Sequence, residues 1–209
     1  MGKRPFPLLI LFVVFLAGCG GQHVPNGHIV DPGILIRSGQ PDAIGLAALR
    51  DRHGIRTVIN LNNRTTDEEL VRCAALGIAY VPLPISTQNP SDADLATFLR
   101  AIRQAEAEGR VPVLVHCQFG EDRTGVTTAT YRVVMQGWTA DEAIDEMQGY
   151  RQWTHRLFIP NLDNKVRAIA ADRQAWETRA AEDKPVPLVM PPAMFEAPTT
   201  QPAVERQAA

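Results

Sequence analysis

The stretch that decides the fold runs from residue 111 to residue 125 and reads VPVLVHCQFGEDRTG. It opens with an apolar run, as buried strands do, and a helical pattern begins near Thr124. A loop that leads from a strand into a helix gathers backbone N–H groups and the positive end of the helix dipole around one point. Cys117 and Arg123 bracket this loop, so the stretch predicts a thiol at the bottom of an anion-binding site.

The side chains of the loop extend this prediction. Arg123 offers a planar, two-pronged donor for two phosphate oxygens, and positive surroundings favour the reactive thiolate form of Cys117. Gly120 lets the loop curve without a Cβ intruding on a bound oxyanion. The alternative for Cys117 is a small buried hydrophobic residue beside a helix cap.

The order His-Cys-x-x-Gly-x-x-Arg-Thr-Gly at residues 116–125 resembles the signature loop of the protein tyrosine phosphatase superfamily, in its small bacterial dual-specificity-like form. The segments RSGQP at 37–41 and GIRTVINL at 54–61 look like parts of the same enzymes, so the resemblance covers residues 30–170. It implies Cys117 as nucleophile, His116 as a support for the loop, and Thr124 as a hydroxyl that helps sulfur leave phosphorus. The phosphate-binding residues would be Gln118, Phe119, Gly120, Glu121, Asp122 and Arg123.

The resemblance implies hydrolysis of phosphate monoesters through a phosphocysteine, with Cys117 and Arg123 as catalytic residues and no metal or other cofactor. Phosphotyrosine or phosphoserine/threonine in proteins are the expected substrates. The alternatives are a phosphatase of small-molecule or lipid phosphates, a non-catalytic phosphate-binding module, and a rhodanese-like sulfur transferase. The variable positions of the loop are not basic, which disfavours highly phosphorylated inositols and phosphoinositides.

This chemistry also needs a general acid that protonates the leaving oxygen. The family usually places an aspartate on a loop upstream of the cysteine, and Asp92 is our first choice there, with Asp94 as an alternative. No Trp-Pro-Asp sequence marks the position, so helix capping by Asp92 or Ser91 is an equal interpretation. Asp122 is a further alternative, because myotubularin-type relatives carry an aspartate just before the loop arginine; compensation of the helix dipole is its competing explanation.

The first residues predict a lipoprotein-type signal peptide over 1–18. Lys3 and Arg4 precede an apolar stretch too short for a comfortable membrane span. It ends in Leu-Ala-Gly-Cys at 16–19, which resembles the bacterial lipoprotein cleavage box. Cys19 would then carry the lipid, residues 19–27 would form a tether, and the protein would sit on the inner or outer membrane of the bacterial envelope, outside the cytoplasm. An ordinary cleaved signal and an uncleaved anchor are the alternatives.

Strand-like and helix-like segments alternate through the rest of the chain. This alternation predicts an α/β fold with a central, mainly parallel sheet flanked by helices. We expect the phosphatase domain over 28–172, then a helical extension and a Pro/Ala-rich disordered tail over 173–209. With 209 residues, 45% of them apolar, the chain can bury a sizeable core. A net charge of −2 predicts no nucleic-acid binding, and we expect a monomer.

Overall fold

The computed structural model describes residues 23–63, 67–154, 159 and 161–191. The predicted signal peptide, the lipidation residue Cys19 and the end of the tail from residue 192 lie outside the described residues. Within the part that is described, no helix has both the length and the apolarity needed to cross a bilayer.

Five strands form one sheet in the order β1-β2-β5-β3-β4. β1 pairs antiparallel with β2, and the remaining pairs are parallel. The strands are β1 (His28–Asp31), β2 (Leu35–Gly39), β3 (Thr57–Asn60), β4 (Ala79–Pro82) and β5 (Val113–Cys117). The predicted α/β fold with a mainly parallel central sheet is confirmed, and the apolar run of the deciding stretch is its middle strand.

Helices pack on both faces of the sheet. They are α1 (Ala43–His53), α2 (Asp67–Ala75), α3 (Asp92–Ala107), α4 (Asp122–Gln136), α5 (Ala140–Tyr150), α6 (Asn161–Ala171) and α7 (Arg173–Ala181). One apolar core lies between the sheet and α3 to α7, and a smaller one lies under α1 and α2. This burial on both faces explains why the parallel strands contain consecutive apolar residues and do not alternate between apolar and polar residues.

Helix ends follow the local signals of the sequence. Asp42 caps α1 by accepting from the Gly45 N–H at 2.8 Å, and Gly54 ends the helix in the left-handed conformation with φ of 66°. Thr139 and Glu142 form a capping box at the start of α5. These caps satisfy backbone groups at the first turns of α1 and α5.

Two predicted boundaries differ from the structure. The predicted tether includes residues 23–27, but the His23 ring contacts Asp42 at 2.6 Å and the Pro25 carbonyl accepts from the Gly39 N–H at 2.6 Å. The predicted disordered tail includes residues 184–191, but two of its apolar side chains pack against the core. Val189 exchanges two backbone hydrogen bonds with Tyr80 of the edge strand β4. Both segments are ordered because each one covers a sheet edge or a helix end.

Candidate active site

The candidate site lies where β5 ends and α4 begins, at the carboxyl edge of the parallel strands. In the strand register, Cys117 is paired with Gly39 of β2, and His116 is paired with Asn60 of β3. Cys117 is only 3% exposed, and the Gly120 N–H donates to its Sγ at 3.3 Å. Open α/β sheets bind ligands at this edge, so the loop occupies the place that the sequence predicts.

Three carbonyl groups of the loop point away from Cys117. Each accepts a hydrogen bond from outside the loop: Gln118 from the Gln40 N–H at 3.1 Å, Phe119 from the Asn26 amide at 2.8 Å, and Gly120 from the Arg37 guanidinium. In a trans peptide unit the N–H points opposite to the C=O. We therefore expect the N–H groups of residues 119–121 to be directed away from these outside donors, and that of Gly120 donates to the Cys117 sulfur.

Two glycines allow the loop to rest directly on β2. A Cβ on Gly120, whose φ is +75°, would lie 2.5 Å from the Gly39 nitrogen. A Cβ on Gly39 would lie 2.9 Å from the Phe119 carbonyl carbon. Neither contact is possible for a larger residue without moving backbone, so the glycines fix how closely the loop can approach the sheet.

Arg123 and Thr124 stand in the first turn of α4. Arg123 donates from Nη1 to the Leu61 carbonyl at 3.1 Å, which holds its guanidinium at the end of β3. The Thr124 hydroxyl is fully buried and lies 3.5 Å from the Ser38 carbonyl. This hydroxyl therefore faces the end of β2, and its predicted part in the departure of sulfur from phosphorus stays a prediction.

A buried polar network lies behind the loop. His116 is fully buried, and its Nε2 lies 3.0 Å from Oε1 of Glu69. The other oxygen of Glu69 accepts from the Asn60 amide at 2.6 Å and from the Tyr80 hydroxyl at 2.9 Å. Burial raises the pKa of Glu69, but the contacts with His116, Tyr80 and Asn60 outweigh burial and hold it below its usual value. Glu69 therefore anchors the residue next to Cys117 from the helix side of the sheet.

A second cation lies beneath the loop. Arg37 of β2 is fully buried; besides binding the Gly120 carbonyl, its guanidinium stacks over the Tyr150 ring with 3.7 Å to the ring centre. Burial lowers the pKa of Arg37 to about 10, opposed by Tyr150, Glu146 and Cys117. The side chain stays cationic at neutral pH, so the loop has a positive charge on its β2 side as well as Arg123.

Comparison with known proteins agrees with this geometry. Residues 38–164 match the family model described as the dual specificity phosphatase catalytic domain. The chain belongs to that family. The matched residues run from Ser38, beside the loop, to the first turn of α6. They include all of β3, β4 and β5 and the last two residues of β2.

Two relatives are TpbA proteins of Pseudomonas aeruginosa. The dual specificity protein phosphatase TpbA of strain UCBPP-PA14 is 36% identical over 127 residues, which cover 57% of this chain and 56% of the relative. The chain thus spans about half the length of the curated relatives it matches. A crystal structure of TpbA is 31% identical with a TM-score of 0.61 and covers 76% of this chain and 92% of that one.

A further crystal structure is a substituted form of TpbA in complex with pTyr. It is 31% identical, has a TM-score of 0.58, and covers 75% of this chain and 96% of that one. The likeness supports the phosphatase fold.

The predicted general acid has two cationic partners. Asp92 lies in the first turn of α3, and its carboxylate contacts Lys165 Nζ at 2.8 Å and Arg179 Nη1 at 3.1 Å. The hydrogen bond from Lys165 is the largest cause that lowers the pKa of Asp92, and Arg179 adds to it. Ser91, not Asp92, caps α3, and the alternative acid Asp94 accepts from the Ser91 hydroxyl at 2.7 Å. The role of Asp92 as the general acid stays a prediction.

The two acidic residues of the loop are turned toward the segment that follows α5. Asp122 Oδ1 accepts from Arg151 Nε at 2.7 Å, and both side chains are buried. Glu121 accepts from the backbone and the side chain of Gln152, each at 3.1 Å. These contacts reduce the repulsion that two carboxylates in the loop would exert on a bound dianion.

Sequence patterns did not reveal several residues that position the loop. They are Asn26, Arg37, Gln40, Glu69, Arg151 and Gln152. Arg37 and Gln40 stand in the RSGQP segment that carries the family resemblance, but no pattern assigned either of them a contact with the loop. Among the residues that the structure describes, no cluster of three His, Cys, Asp or Glu side chains is arranged to hold a metal ion.

Proposed function

We propose that this protein hydrolyses phosphate monoesters through a phosphocysteine on Cys117, with phosphotyrosine or phosphoserine/threonine in proteins as substrates. The observation that carries the proposal is the loop itself. The carbonyl groups of residues 118, 119 and 120 are engaged by donors outside the loop, and the Gly120 N–H donates to the Cys117 sulfur at 3.3 Å. Such preorganised donors stabilise charge that develops in a transition state.

The proposed roles follow from position. Cys117 attacks phosphorus, and Arg123 with the loop N–H groups stabilises the equatorial oxygens through the transition state. His116, held by Glu69, supports the strand end that carries the thiol. Thr124 fixes the start of α4 against β2. The phosphotyrosine complex of TpbA supports the assignment of the substrate class.

Trapping the intermediate tests this function. We expect rapid acid quenching during turnover of an aryl phosphate to yield a phosphorylated peptide containing Cys117, detected by mass spectrometry. Cys73 is an internal control, because it is fully buried and burial raises its pKa to about 12. A persulfide on Cys117 after incubation with a sulfur donor, without phosphorylation, would favour sulfur transfer. Phosphate binding without any covalent product would favour a non-catalytic module.

We also propose that the mature protein is a lipoprotein of the bacterial envelope, anchored through Cys19 and facing away from the cytoplasm. The support is the sequence of residues 3–19, with basic residues, a short apolar stretch and a small-residue cleavage box before cysteine. Several acyl chains bind a membrane firmly, whereas one chain binds only marginally. Three residues separate Cys19 from His23, whose ring contacts Asp42 of the domain.

Substituting Cys19 tests the anchor. In a bacterial host, Cys19→Ala should leave the precursor unprocessed at the lipoprotein site, because the substituted thiol is the acylation point. Wild type should partition into detergent and incorporate labelled fatty acid. Cys73→Ala is the matched control and should be acylated as wild type is. Recovery of the wild-type protein as a water-soluble, unacylated chain would refute the anchor without affecting the proposed catalysis.

A further inference from the structure

The first described residues of the chain pack beside the candidate active site. The His23 carbonyl accepts from the Asp42 N–H at 3.2 Å, at the start of α1. A Cβ on Gly45, in the first turn of the same helix, would collide with that carbonyl oxygen. His23 is therefore fixed closely against the first turn of α1, on the side of the domain where the strands end.

The next residues of this segment contact the active-site loop and the strand beneath it. The Pro25 carbonyl accepts from the Gly39 N–H at 2.6 Å, at the end of β2. The Asn26 side chain donates to the Phe119 carbonyl at 2.8 Å. Residues 23–26 thus run from the first turn of α1 to the loop that follows β5, along the carboxyl edge of the sheet.

Cys19, the predicted lipidation residue, is close to this segment along the chain. Four peptide units join Cys19 to His23, and a fully extended chain of that length spans at most about 14 Å. A compact domain of this size is about 40 Å across. Lipid on Cys19 would therefore keep the end of the domain that carries the active site near the bilayer, and not the opposite end.

Large apolar side chains are exposed at the same end. Ile44, in the first turn of α1, is 63% exposed, and Phe119 of the loop is 57% exposed. Trp153 is 76% exposed and directly follows Gln152, which donates to Glu121 of the loop. Tryptophan is enriched at membrane–water interfaces, and aromatic and aliphatic side chains form the apolar faces of proteins that lie in the interface.

The charges at this end have partners within the protein. Segment 83–91, which follows β4 at the same edge of the sheet, contains no charged residue. The loop carboxylates Glu121 and Asp122 are both buried. Asp42 is exposed, but it caps α1 and contacts the His23 ring at 2.6 Å. A bilayer that meets this end would leave these contacts in place, which limits the cost of removing charge from water.

We propose that the docking face, formed by Ile44, Phe119 and Trp153, rests on the bilayer that holds the lipid of Cys19. The active site then opens at the membrane surface. This inference rests on the proposed anchor and the proposed catalysis, and it adds an orientation and a source of substrate. The substrates are phosphorylated protein segments that lie directly at the bilayer, in preference to phosphoproteins free in solution.

The first experiment measures which side chain meets lipid. Acylated full-length protein is purified from bacterial membranes and reconstituted in vesicles of phosphatidylethanolamine and phosphatidylglycerol, with and without brominated acyl chains that quench tryptophan. We expect quenching in wild type that is lost in Trp153→Phe. The other two tryptophans are remote from lipid in this orientation, because Trp138 stacks with Arg132 and Trp176 is buried. Equal fluorescence loss in wild type and Trp153→Phe, or no loss in either, would overturn the inference.

The second experiment measures the orientation through catalysis. A phosphotyrosine peptide is tethered to the same vesicles by a linker of about two residues, or by a flexible linker of about 40 residues that spans roughly 35 Å. Wild type should hydrolyse the short-linked peptide at least as fast as the long-linked one, because the site opens at the surface. A site on the far side of the domain would lie about 40 Å from the bilayer, beyond the reach of the short linker.

Substitutions in the docking face give the matched comparison. Ile44→Asp and Trp153→Asp should each lower turnover of the short-linked peptide by roughly tenfold, since each replaces buried apolar area with a charge at the contact with lipid. An aspartate at position 44 suits the first turn of a helix. Met190→Asp is the control: Met190 is also exposed, at 54%, but lies beside Ile55 and Ala79 at the amino ends of the strands.

The outcomes distinguish this inference from the functions on which it rests. In detergent, with the free peptide, all three aspartate variants should match wild type, which separates loss of docking from misfolding. Faster hydrolysis of the long-linked peptide by wild type would overturn the inference, as would equal effects of Ile44→Asp, Trp153→Asp and Met190→Asp on vesicles. Unacylated wild type would refute the anchor and this inference with it, and absence of a phosphorylated Cys117 peptide would refute the catalysis.

Discussion

Replacing Cys117 by serine should abolish hydrolysis of a generic aryl phosphate while the domain remains folded. A serine hydroxyl is far less ionised than a thiol at neutral pH, so the nucleophile disappears although the shape of the side chain changes little. The Gly120 N–H that now meets the sulfur can donate to an oxygen in the same place. Steady-state turnover, with thermal unfolding measured alongside, checks both halves of this expectation.

The chain supplies a matched control for that substitution. Cys73 is also a buried cysteine, but it lies in α2 under the smaller core, where burial raises its pKa to about 12. Cys73→Ser should therefore keep its turnover per folded molecule, even if the buried hydroxyl lowers the free energy of unfolding. Near-wild-type turnover by Cys117→Ser would contradict the cysteine mechanism. Equal loss in both variants would indicate damage to the fold.

Much of the fold could be predicted because its signals are local. The apolar runs that became β2, β3, β4 and β5 are buried on both sheet faces, and helix caps such as Asp42 and Thr139 act within three residues. No sequence pattern predicted β1, because it is a short edge strand and only Val30 of its four residues is buried. An edge strand of that kind leaves no apolar run to detect.

The loop was predictable as a motif, whereas its supports were not. Its strand, glycine, arginine and helix start are contiguous, so their spacing carries the signal. Asn26 and Arg37 donate to loop carbonyls that lie 93 and 83 residues later in the chain. Glu69 contacts His116 from helix α2. Sequence spacing says nothing about contacts that the sheet order creates. The pairing of β2 with β5 brings Arg37 beside the loop, and the packing of the N-terminal segment and of α2 brings Asn26 and Glu69 there.

The partners of Asp92, the predicted general acid, could not be predicted from local patterns either. Asp92 was chosen for its position along the chain, between a proline-bounded loop and a helix. Its partners Lys165 and Arg179 lie 73 and 87 residues later, on the last two helices. Cations that are so remote in sequence decide the pKa of Asp92, and no local pattern indicates them. The alternative interpretation, a helix cap at the start of α3, agrees with the structure, and the capping residue is Ser91.

Replacing Arg123 by lysine should cost most of the activity although the charge is kept. A lysine ammonium is a compact point charge and cannot make the planar, two-pronged contact with two phosphate oxygens. Loss of one such preorganised donor lowers kcat by roughly 10²–10³-fold in other enzymes. Arg123 also holds the Leu61 carbonyl at 3.1 Å, which fixes its guanidinium at the end of β3, and a lysine would lose that orientation too.

Two measurements separate the geometry of Arg123 from its charge. Inhibition of aryl phosphate turnover by inorganic phosphate should weaken less than kcat falls, because a lysine still attracts a dianion but no longer matches the transition state. Arg50→Lys, on the exposed face of α1 beside Asp51, is the control for an arginine-to-lysine change and should be silent. Wild-type kcat in Arg123→Lys would show that charge alone suffices. The planar contact would then have no part in catalysis, and stabilisation would rest on the positive charge together with the loop N–H groups.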